Sequence, residues 1–363
     1  MLAPGIPRWW GDNRPYSDRR PCATDPWCVA RGLASDPGRE GPPWLAVTRS
    51  RQFARVWAVR WACGMVDLDY LVIGHVTRDL NVPSSQRPRG DPQMVPGRLG
   101  GTAAYAARTA RALGCRVGVV TSAACDLGLR EELGDVRIAR DPARASTVFV
   151  NIYGDGRRQL IRSIARTIDP ATVPADWHAS LIHIGPVAGE CDPSLVTSFP
   201  GAFVGVTPQG WMREWDQTGH VTRRPWSEAA KILPHADAVV LSEEDVAGDR
   251  SLVIDYACQT RCLVLTEGAA GCTVYAAGDT YQVSAPKVSE VDPTGAGDVF
   301  AACFFYVLQR TGDPCRAARF ANCCAARSVA RPGLLASPLV AEVARCRRGM
   351  MSTGNDGQSL RAG

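Results

Sequence analysis

The sequence predicts an α/β fold in which helices cover both faces of a mainly parallel sheet. From Asp69 onward, apolar runs of strand length such as YLVIGHV alternate with stretches of helical pattern such as AAYAARTARALG. The strand runs are continuous in Val, Ile and Leu, as is typical of parallel strands that are buried on both faces. Because ligands of such folds bind at the carboxyl ends of the strands, that edge is the place to look for a site.

Several of the predicted strands end in polar residues or in residues that start a turn. These residues are His75, Pro186, Thr207, Ser242 and Thr266. Two other segments, near residues 79–100 and 145–162, lack helical period and suit a small β-sheet that covers this edge as a lid. We therefore expect a cleft between the strand ends and the lid.

Composition places the chain among proteins of the cytoplasm. Its 363 residues are 45% hydrophobic, which supports a sizeable core. We find no run of 18–20 apolar residues and no secretory signal, so no association with a membrane is expected. The 14 cysteines are scattered through apolar segments, and we expect them to be buried free thiols in a reducing compartment.

The net charge of +5 lies entirely in residues 1–64, which contain ten Arg against four Asp and one Glu. The remainder of the chain is balanced, which argues against nucleic-acid binding because that requires a basic face. We interpret residues 1–64 as a disordered extension or as a mis-assigned start. The folded body is then 65–345, followed by a flexible tail at 346–363.

The stretch VSEVDPTGAGDVFAACFFYVL, residues 288–308, carries the chemistry. Gly295 and Gly297 let a ligand approach the main chain, and the apolar run that follows predicts a helix. The free N–H groups at the start of that helix form an anion site, with Asp298 in its first turn. From this stretch alone, a tight turn with a capping carboxylate is an equal alternative.

Other phosphate-binding motifs are missing. The chain has two lysines, Lys231 and Lys287, and neither belongs to a P-loop. A dinucleotide fingerprint and the protein-kinase motifs are also missing.

Five motifs resemble, in order, those of the ribokinase-like (PfkB) family of sugar and nucleoside kinases. They are LVIGHVTRD, GGTAAYAARTARALG, LTEGAAG, DPTGAGDVFAACF and ANCCAARSVARPG, from about residue 69 to 335. The resemblance implies a ribokinase-like three-layer α/β/α sandwich with a mainly parallel central sheet and a small β-sheet lid. It also implies that residues 65–345 are a kinase domain that transfers the γ-phosphoryl group of ATP to an alcohol.

The resemblance assigns roles to individual residues. It implies that Asp298 is the general base and that the backbone of Gly295, Ala296 and Gly297 is the anion hole. The substrate-binding residues would be Asp79, Gly100, Gly101 and Tyr105. The ATP-binding residues would be Ser242, Thr266, Gly268, Gly271 and Asn322.

Two features concern metal ions. The family's Asn-x-x-Glu motif, which organises Mg²⁺ and phosphate through water, is replaced by SEED, so that Ser242 stands for Asn and Asp245 for Glu. Because Asp is shorter than Glu, the geometry around Mg²⁺ would differ. Asp292 matches the family's position near a monovalent cation such as K⁺.

We therefore expect an ATP- and Mg²⁺-dependent kinase whose acceptor is a small sugar or cyclitol. A nucleoside kinase is one alternative, and a catalytically silent, ligand-binding relative is another, suggested by Ser242 and Asp245. The resemblance also allows a homodimer formed through the lid.

Overall fold

The computed structural model describes residues 66–83, 97–154 and 156–352. The predicted extension at 1–64 lies outside the described residues. The same holds for residues 84–96 of the first lid segment and for residues 353–363 of the predicted tail.

Nine strands form the central sheet. In order across the sheet they are β17 (Asp279–Val283), β16 (Cys272–Ala276), β15 (Cys262–Thr266), β14 (Ala238–Ser242), β11 (Phe203–Val206), β10 (Leu181–Ile184), β2 (Tyr70–Ile73), β5 (Val117–Ala123) and β6 (Arg137–Pro142). All pairs from β15 to β6 are parallel, whereas β16 and β17 are antiparallel additions at one edge.

A separate small sheet has four strands. Their order is β4 (Arg98–Gly100), β3 (Thr77–Pro83), β7 (Thr147–Gly154) and β8 (Gly156–Ser163). A short parallel pair joins β1 (Val66–Leu68) to β9 (Trp177–Ala179), and β12 (Arg213–Trp215) forms a hairpin with β13 (Val221–Arg223). The hairpin turn attaches to β8 because the Ile161 N–H donates to the Gly219 carbonyl at 2.8 Å.

Helices and apolar clusters cover both faces of the large sheet. The α-helices are α1 (Thr102–Ala112), α2 (Leu129–Leu133), α3 (Ala229–Ile232), α4 (Arg250–Ala257), α5 (Ala296–Thr311), α6 (Pro314–Ser328) and α7 (Val340–Ser352). Along β2, Tyr70 and Val72 pack in the core that contains α1, α5 and α6, whereas Leu71 and Ile73 pack in the opposite core. Central strands such as β2 are thus buried on both faces, whereas the edge strands β6 and β17 are largely exposed. The predicted fold class is confirmed.

The C-terminal part differs from the expectation in two respects. Helix α7 runs to Ser352, so the boundary that we placed at residue 345 falls inside a helix. The reason is packing: Cys346 is buried and forms a disulfide with Cys323 of α6, across a Cα–Cα distance of 5.8 Å. The expectation of free thiols throughout is therefore wrong for this pair. The other cysteines whose state the structure gives are free.

The carboxylate of Glu190 holds together the strand ends beneath the small sheet. It is 3% exposed and accepts hydrogen bonds from the backbone N–H groups of His75, at 2.8 Å, Val187, at 3.0 Å, and Ala188, at 2.7 Å. His75 follows β2 and Val187 follows β10. One buried side chain thus fixes the carboxyl ends of two adjacent parallel strands.

No helix in the part of the chain that the structure describes is long and apolar enough to cross a bilayer.

We predict that Glu190→Ala lowers the free energy of unfolding by about 3 kcal/mol, because three buried backbone donors lose a charged acceptor. Glu190→Gln should lose less, since one side-chain oxygen remains. Denaturant unfolding of the full chain measures both values, with Glu244→Ala as the control because Glu244 is exposed. An unchanged midpoint for Glu190→Ala would show that water replaces the carboxylate.

Candidate active site

Helix α5 begins where the Gly-Ala-Gly-Asp stretch predicts an anion site. Gly295 has φ of 81°, a left-handed conformation that favours glycine. The Ala296 N–H donates to the Pro293 carbonyl at 3.1 Å, whereas nothing among the described residues accepts from the N–H groups of Gly295 and Gly297. A Cβ on Gly297 would meet open space. The N–H groups of Gly295 and Gly297 are therefore open to an anion, whereas that of Ala296 is engaged within the turn.

Asp298 lies in the first turn of α5 and is tied to the start of α1. The Thr102 hydroxyl donates to Asp298 Oδ1 at 2.7 Å. Thr102 is the first residue of α1 and follows Gly101, which has φ of 82°. The two helix starts that the sequence singled out are thus brought together by one hydrogen bond, although Thr102 itself was not predicted.

The surroundings of Asp298 adjust its acidity. Burial raises the pKa of the carboxyl to about 6, and the nearby charges of Asp79 and Asp245 act in the same direction. The hydrogen bond from Thr102 and the charge of Arg213 oppose this rise in pKa. By solvent exposure the residue is half-buried, so it remains accessible from the cleft. A carboxyl with a pKa near 6 can accept a proton at neutral pH.

Asp79 lies on β3 of the small sheet, directly against the Gly-Gly segment. It accepts a hydrogen bond from the Thr77 hydroxyl at 2.7 Å. A Cβ on Gly100 would overlap the Asp79 carboxylate, and a Cβ on Gly101 would overlap the His75 carbonyl. The two glycines therefore make room for Asp79 and for the strand that carries it.

Tyr105 does not face the cleft. Its side chain is 2% exposed, and a Cβ on Gly295 would overlap its ring. Tyr105 thus supports the anion-binding turn from below, one helical turn beyond Thr102. We had expected Tyr105 to bind substrate. Instead, α1 directs the side chain of Tyr105 toward Gly295 at the start of α5.

Ser242 and Asp245 are hydrogen-bonded to each other. Besides burial, the charge of Asp245 is one of the causes that raise the pKa of Asp298. Asp245 Oδ2 accepts from both the backbone N–H and the hydroxyl of Ser242, each at 2.8 Å. Ser242 ends β14, next to Thr266, which ends β15 and pairs with Ser242 in register. Asp245 lies three residues beyond the end of β14. The second oxygen of Asp245, Oδ1, has no partner among the described groups and could contact a water-bound ion.

Gly268 and Gly271 form the turn after Thr266. Gly268 has φ of 57° and Gly271 has φ of 108°, and a Cβ on Gly271 would overlap the Val283 carbonyl. Asn322 is 4% exposed, and its amide nitrogen donates to that same carbonyl at 2.8 Å. The amide nitrogen of Asn322 therefore supports the turn, and a contact between Asn322 and ATP stays a prediction.

The carboxylate of Asp292 also forms hydrogen bonds within the protein. Its carboxylate accepts from the backbone N–H groups of Thr294, at 3.0 Å, and Gly333, at 3.1 Å. No group of three or more His, Cys, Asp or Glu side chains that could hold a metal occurs in the described residues. Asp292 therefore orders the loop before α5, and a K⁺ site at this position stays a prediction.

The face of the small sheet that carries Asp79 has one row of side chains through Asp79 and a second row next to it. Asp79 is in register with Phe149, and Phe149 with Ile161. In the next row, Gln159 donates to Asn151 at 2.9 Å, and Asn151 donates to Asn81 at 2.9 Å. An apolar pair and a chain of amides thus lie beside Asp79.

Sequence reasoning missed Thr102, Glu190 and Arg213. The signal for Thr102 was its position directly after Gly-Gly at a helix start. Arg213 lies in GWMREWD, where attention went to the tryptophans. Glu190, in GPVAGECD, is one carboxylate among many, and nothing local identifies its distant partner, His75.

Comparison with known proteins is consistent with this geometry. Residues 224–340 match the pfkB family of carbohydrate kinases. A fructokinase of Escherichia coli is 29% identical over 191 residues, which are 47% of this chain and 60% of the relative. An inositol 3-kinase of Oryza sativa subsp. japonica is 29% identical over 264 residues, 66% of this chain and 63% of the relative. The chain thus spans less than two thirds of the length of these curated relatives.

Solved structures share the fold. A pyrophosphate-dependent kinase in the ribokinase family, complexed with a pyrophosphate analog and myo-inositol, superposes with a TM-score of 0.62 at 21% identity, covering 76% of this chain and 99% of that one. A putative ribokinase II from E. coli in complex with ATP and Mg²⁺ gives a TM-score of 0.58 at 20% identity, covering 77% and 99%. The pfkB match over residues 224–340 and the shared ribokinase-like fold support the resemblance to the PfkB, ribokinase-like family of carbohydrate kinases.

Proposed function

We propose that the chain is a kinase that transfers the γ-phosphoryl group of ATP to a hydroxyl of a small sugar or cyclitol. One observation carries the proposal: Asp298 lies at the start of α5, hydrogen-bonded to Thr102, beside the N–H groups of Gly295 and Gly297. A proton acceptor and an anion site thus lie within the four consecutive residues 295–298. Phosphoryl transfer to an alcohol needs this combination.

On the acceptor side, Asp298 takes the proton of the attacking hydroxyl. An alcohol is a weak nucleophile, and a positioned carboxylate removes the proton as the new P–O bond forms. Asp79 and the rows beside it form the other wall, where carboxylate and amide groups can bond further hydroxyls. The named activities of the relatives, fructokinase and inositol 3-kinase, support a compact polyol as the acceptor.

On the donor side, backbone N–H groups stabilise the negative charge that develops on the phosphoryl oxygens. Gly295 and Gly297 supply these donors, and the dipole of α5 adds to them. The turn of Gly268 and Gly271, held by Asn322, follows β15 and would form the wall of the nucleotide site. The relative with bound ATP and Mg²⁺ supports ATP as the donor.

The residues present fit a Mg²⁺ ion whose ligands are mostly phosphate oxygens and water molecules. Mg²⁺ keeps several waters and takes one or two carboxylates together with substrate phosphates. Asp245 is such a carboxylate, oriented by Ser242. When bound, the ion would neutralise charge on the phosphates.

The experiment is a panel of donors and acceptors assayed with the full chain. The donors are ATP and pyrophosphate, each with Mg²⁺, and the acceptors are myo-inositol, fructose, ribose and adenosine. We expect ATP-dependent phosphorylation of a sugar or of the cyclitol. Activity on adenosine alone would favour a nucleoside kinase. Activity with pyrophosphate alone would replace ATP as the donor, and binding without turnover would indicate a silent relative.

Homodimer formation through the lid stays a prediction, which sedimentation of the full chain tests.

Replacing the base gives the first test of the mechanism. Asp298→Asn should bind ATP and unfold like the wild type but lower kcat by roughly 10²–10⁴, the usual contribution of a general base. Near-normal turnover by this variant would exclude Asp298 as the proton acceptor.

The Thr102 hydrogen bond predicts a change in the pH profile. Asp298 acts as a carboxylate, so kcat/KM should fall as the pH drops through about 6. Thr102→Val removes the donor that favours the charged form, so the acid limb should move to higher pH by about one unit. Thr102→Ser keeps the hydroxyl and is the matched control. Identical pH profiles for Thr102→Val and Thr102→Ser would show that the Thr102 hydroxyl does not affect the pKa of Asp298.

Asp245 is tested through the dependence on Mg²⁺. Asp245→Ala should raise the Mg²⁺ concentration needed for half-maximal rate and lower kcat, because the only carboxylate proposed for the ion is lost. Ser242→Asn restores the family's residue and should be tolerated. If Asp245→Ala keeps the wild-type Mg²⁺ dependence, Asp245 has no part in holding the ion.

A further inference from the structure

His75 lies in the connection from β2 to β3, where the chain leaves the large sheet for the small one. Its side chain is fully buried, and both ring nitrogens are hydrogen-bonded: Nε2 to the Arg166 carbonyl at 2.8 Å, and Nδ1 to the Thr147 hydroxyl at 2.7 Å. Thr147 is the first residue of β7, and Arg166 follows β8. One imidazole ring thus links the connections β2–β3 and β6–β7 to the segment that leaves β8.

The partners of the ring determine which nitrogen donates. A carbonyl oxygen only accepts, so Nε2–H donates to Arg166. The Thr147 oxygen accepts from the Ala165 N–H at 3.0 Å, and its hydroxyl donates to Nδ1. The position therefore needs a donor on one side and an acceptor on the other, a combination that the Nε2–H form of imidazole provides.

The backbone of His75 reaches the remaining connection. Its N–H donates to Glu190 Oε1 at 2.8 Å, and its carbonyl lies where a Cβ on Gly101 would overlap it. Gly101 is the residue between β4 and α1. In the part of the chain that the structure describes, every connection that enters or leaves the small sheet therefore has a residue against His75.

His75 also lies between the two halves of the proposed site. Thr77, the first residue of β3, donates its hydroxyl hydrogen to Asp79 at 2.7 Å. Thr102, the first residue of α1, donates to Asp298 at 2.7 Å. Asp79 belongs to the small sheet and Asp298 to a helix that covers the large one, so a change of backbone angle at His75 would move the two carboxylates relative to each other.

We propose that His75 is a positioning residue: it holds the small sheet on the large one and thereby sets the place of Asp79 relative to Asp298. This inference rests on the proposed function. Hydrogen bonds are directional, so loss of the two ring bonds should loosen the orientation of the small sheet even where the volume of the side chain is kept.

A second buried histidine offers a matched control. His183 is also fully buried, with Nδ1 2.8 Å from the Tyr70 hydroxyl and Nε2 3.0 Å from the Thr207 hydroxyl. Its ring packs edge-to-face on Phe305 of α5. Tyr70 lies on β2, Thr207 follows β11, and α5 covers the large sheet. These contacts of His183 thus have the same chemistry as those of His75 but lie within the large sheet and its cover.

The first measurement does not depend on activity. Backbone amide hydrogen exchange is followed in the free full-length protein. In His75→Leu the amides of β3 and β7 should exchange roughly tenfold faster or more relative to those of β10 and β11, because two buried hydrogen bonds that resist opening of the small sheet are lost. His183→Leu should not single out the small sheet. Unchanged exchange of β3 and β7 in His75→Leu, or the same pattern in both variants, would overturn the proposal.

A milder pair of variants tests the same bond from its other end. Thr147→Val keeps the volume of the side chain but removes the hydroxyl that bonds Nδ1, and Thr147→Ser keeps the hydroxyl as the matched control. Thr147→Val should show the selective increase in exchange of β3 and β7, and Thr147→Ser should stay near the wild type. This pair decides the matter if His75→Leu does not fold, and equal exchange in Val and Ser would count against His75.

The second measurement separates positioning from a general loss of structure. In Thr147→Val, and in His75→Leu if it folds, kcat/KM for the acceptor should fall by roughly 10–10²-fold, since a small misplacement of reacting groups has effects of this size. The ATP KM should stay unchanged, because the turn of Gly268 and Gly271 follows β15 of the large sheet. If the acceptor kcat/KM and the ATP KM both change, or if neither does, His75 has no positioning role. A protein that phosphorylates no acceptor yet shows the selective exchange would contradict the proposed function and support the placement of the small sheet by His75.

Discussion

The hydrogen bond from Thr102 to Asp298 joins the first turn of α1 to the first turn of α5, and the rest of the site is arranged around it. Tyr105 reinforces the junction one turn further along α1, where its ring packs on Gly295. Because two helix starts share these contacts, the Gly-Gly segment and the anion-binding turn are held as one unit. The base therefore has a fixed position relative to both walls of the cleft.

A second constraint acts on the strand ends. Glu190 accepts three backbone hydrogen bonds from the residues after β2 and β10. The same loops carry His75, whose carbonyl lies against Gly101, and Val187, whose carbonyl accepts from Arg213. A buried carboxylate outside the cleft thus determines where the small sheet departs from the large one.

The balance of charge in the cleft follows from these positions. Asp79, Asp245 and Asp298 bring three carboxyl groups near a place where phosphate would add further negative charge. Arg213, the backbone donors of α5 and a Mg²⁺ ion at Asp245 would offset it. The raised pKa of Asp298, about 6, is the direct result of burial near like charges. A neutral polyol suits such a site better than an anionic acceptor.

The sequence by itself determined the layered α/β fold and the place of the proposed base, Asp298, because both follow from local patterns. A continuous apolar strand and a Gly-Ala-Gly-Asp helix start are each recognisable within a few consecutive residues. Only the tertiary structure decided the roles of Thr102, Glu190 and Tyr105. Asp298, the partner of Thr102, lies 196 residues away, and His75, one of the three partners of Glu190, lies 115 residues away. Tyr105 lies on a helix that is buried on most sides, so no periodicity shows which neighbour it meets. The Cys323–Cys346 disulfide joins residues 23 apart, and it depends on how α6 and α7 pack against each other.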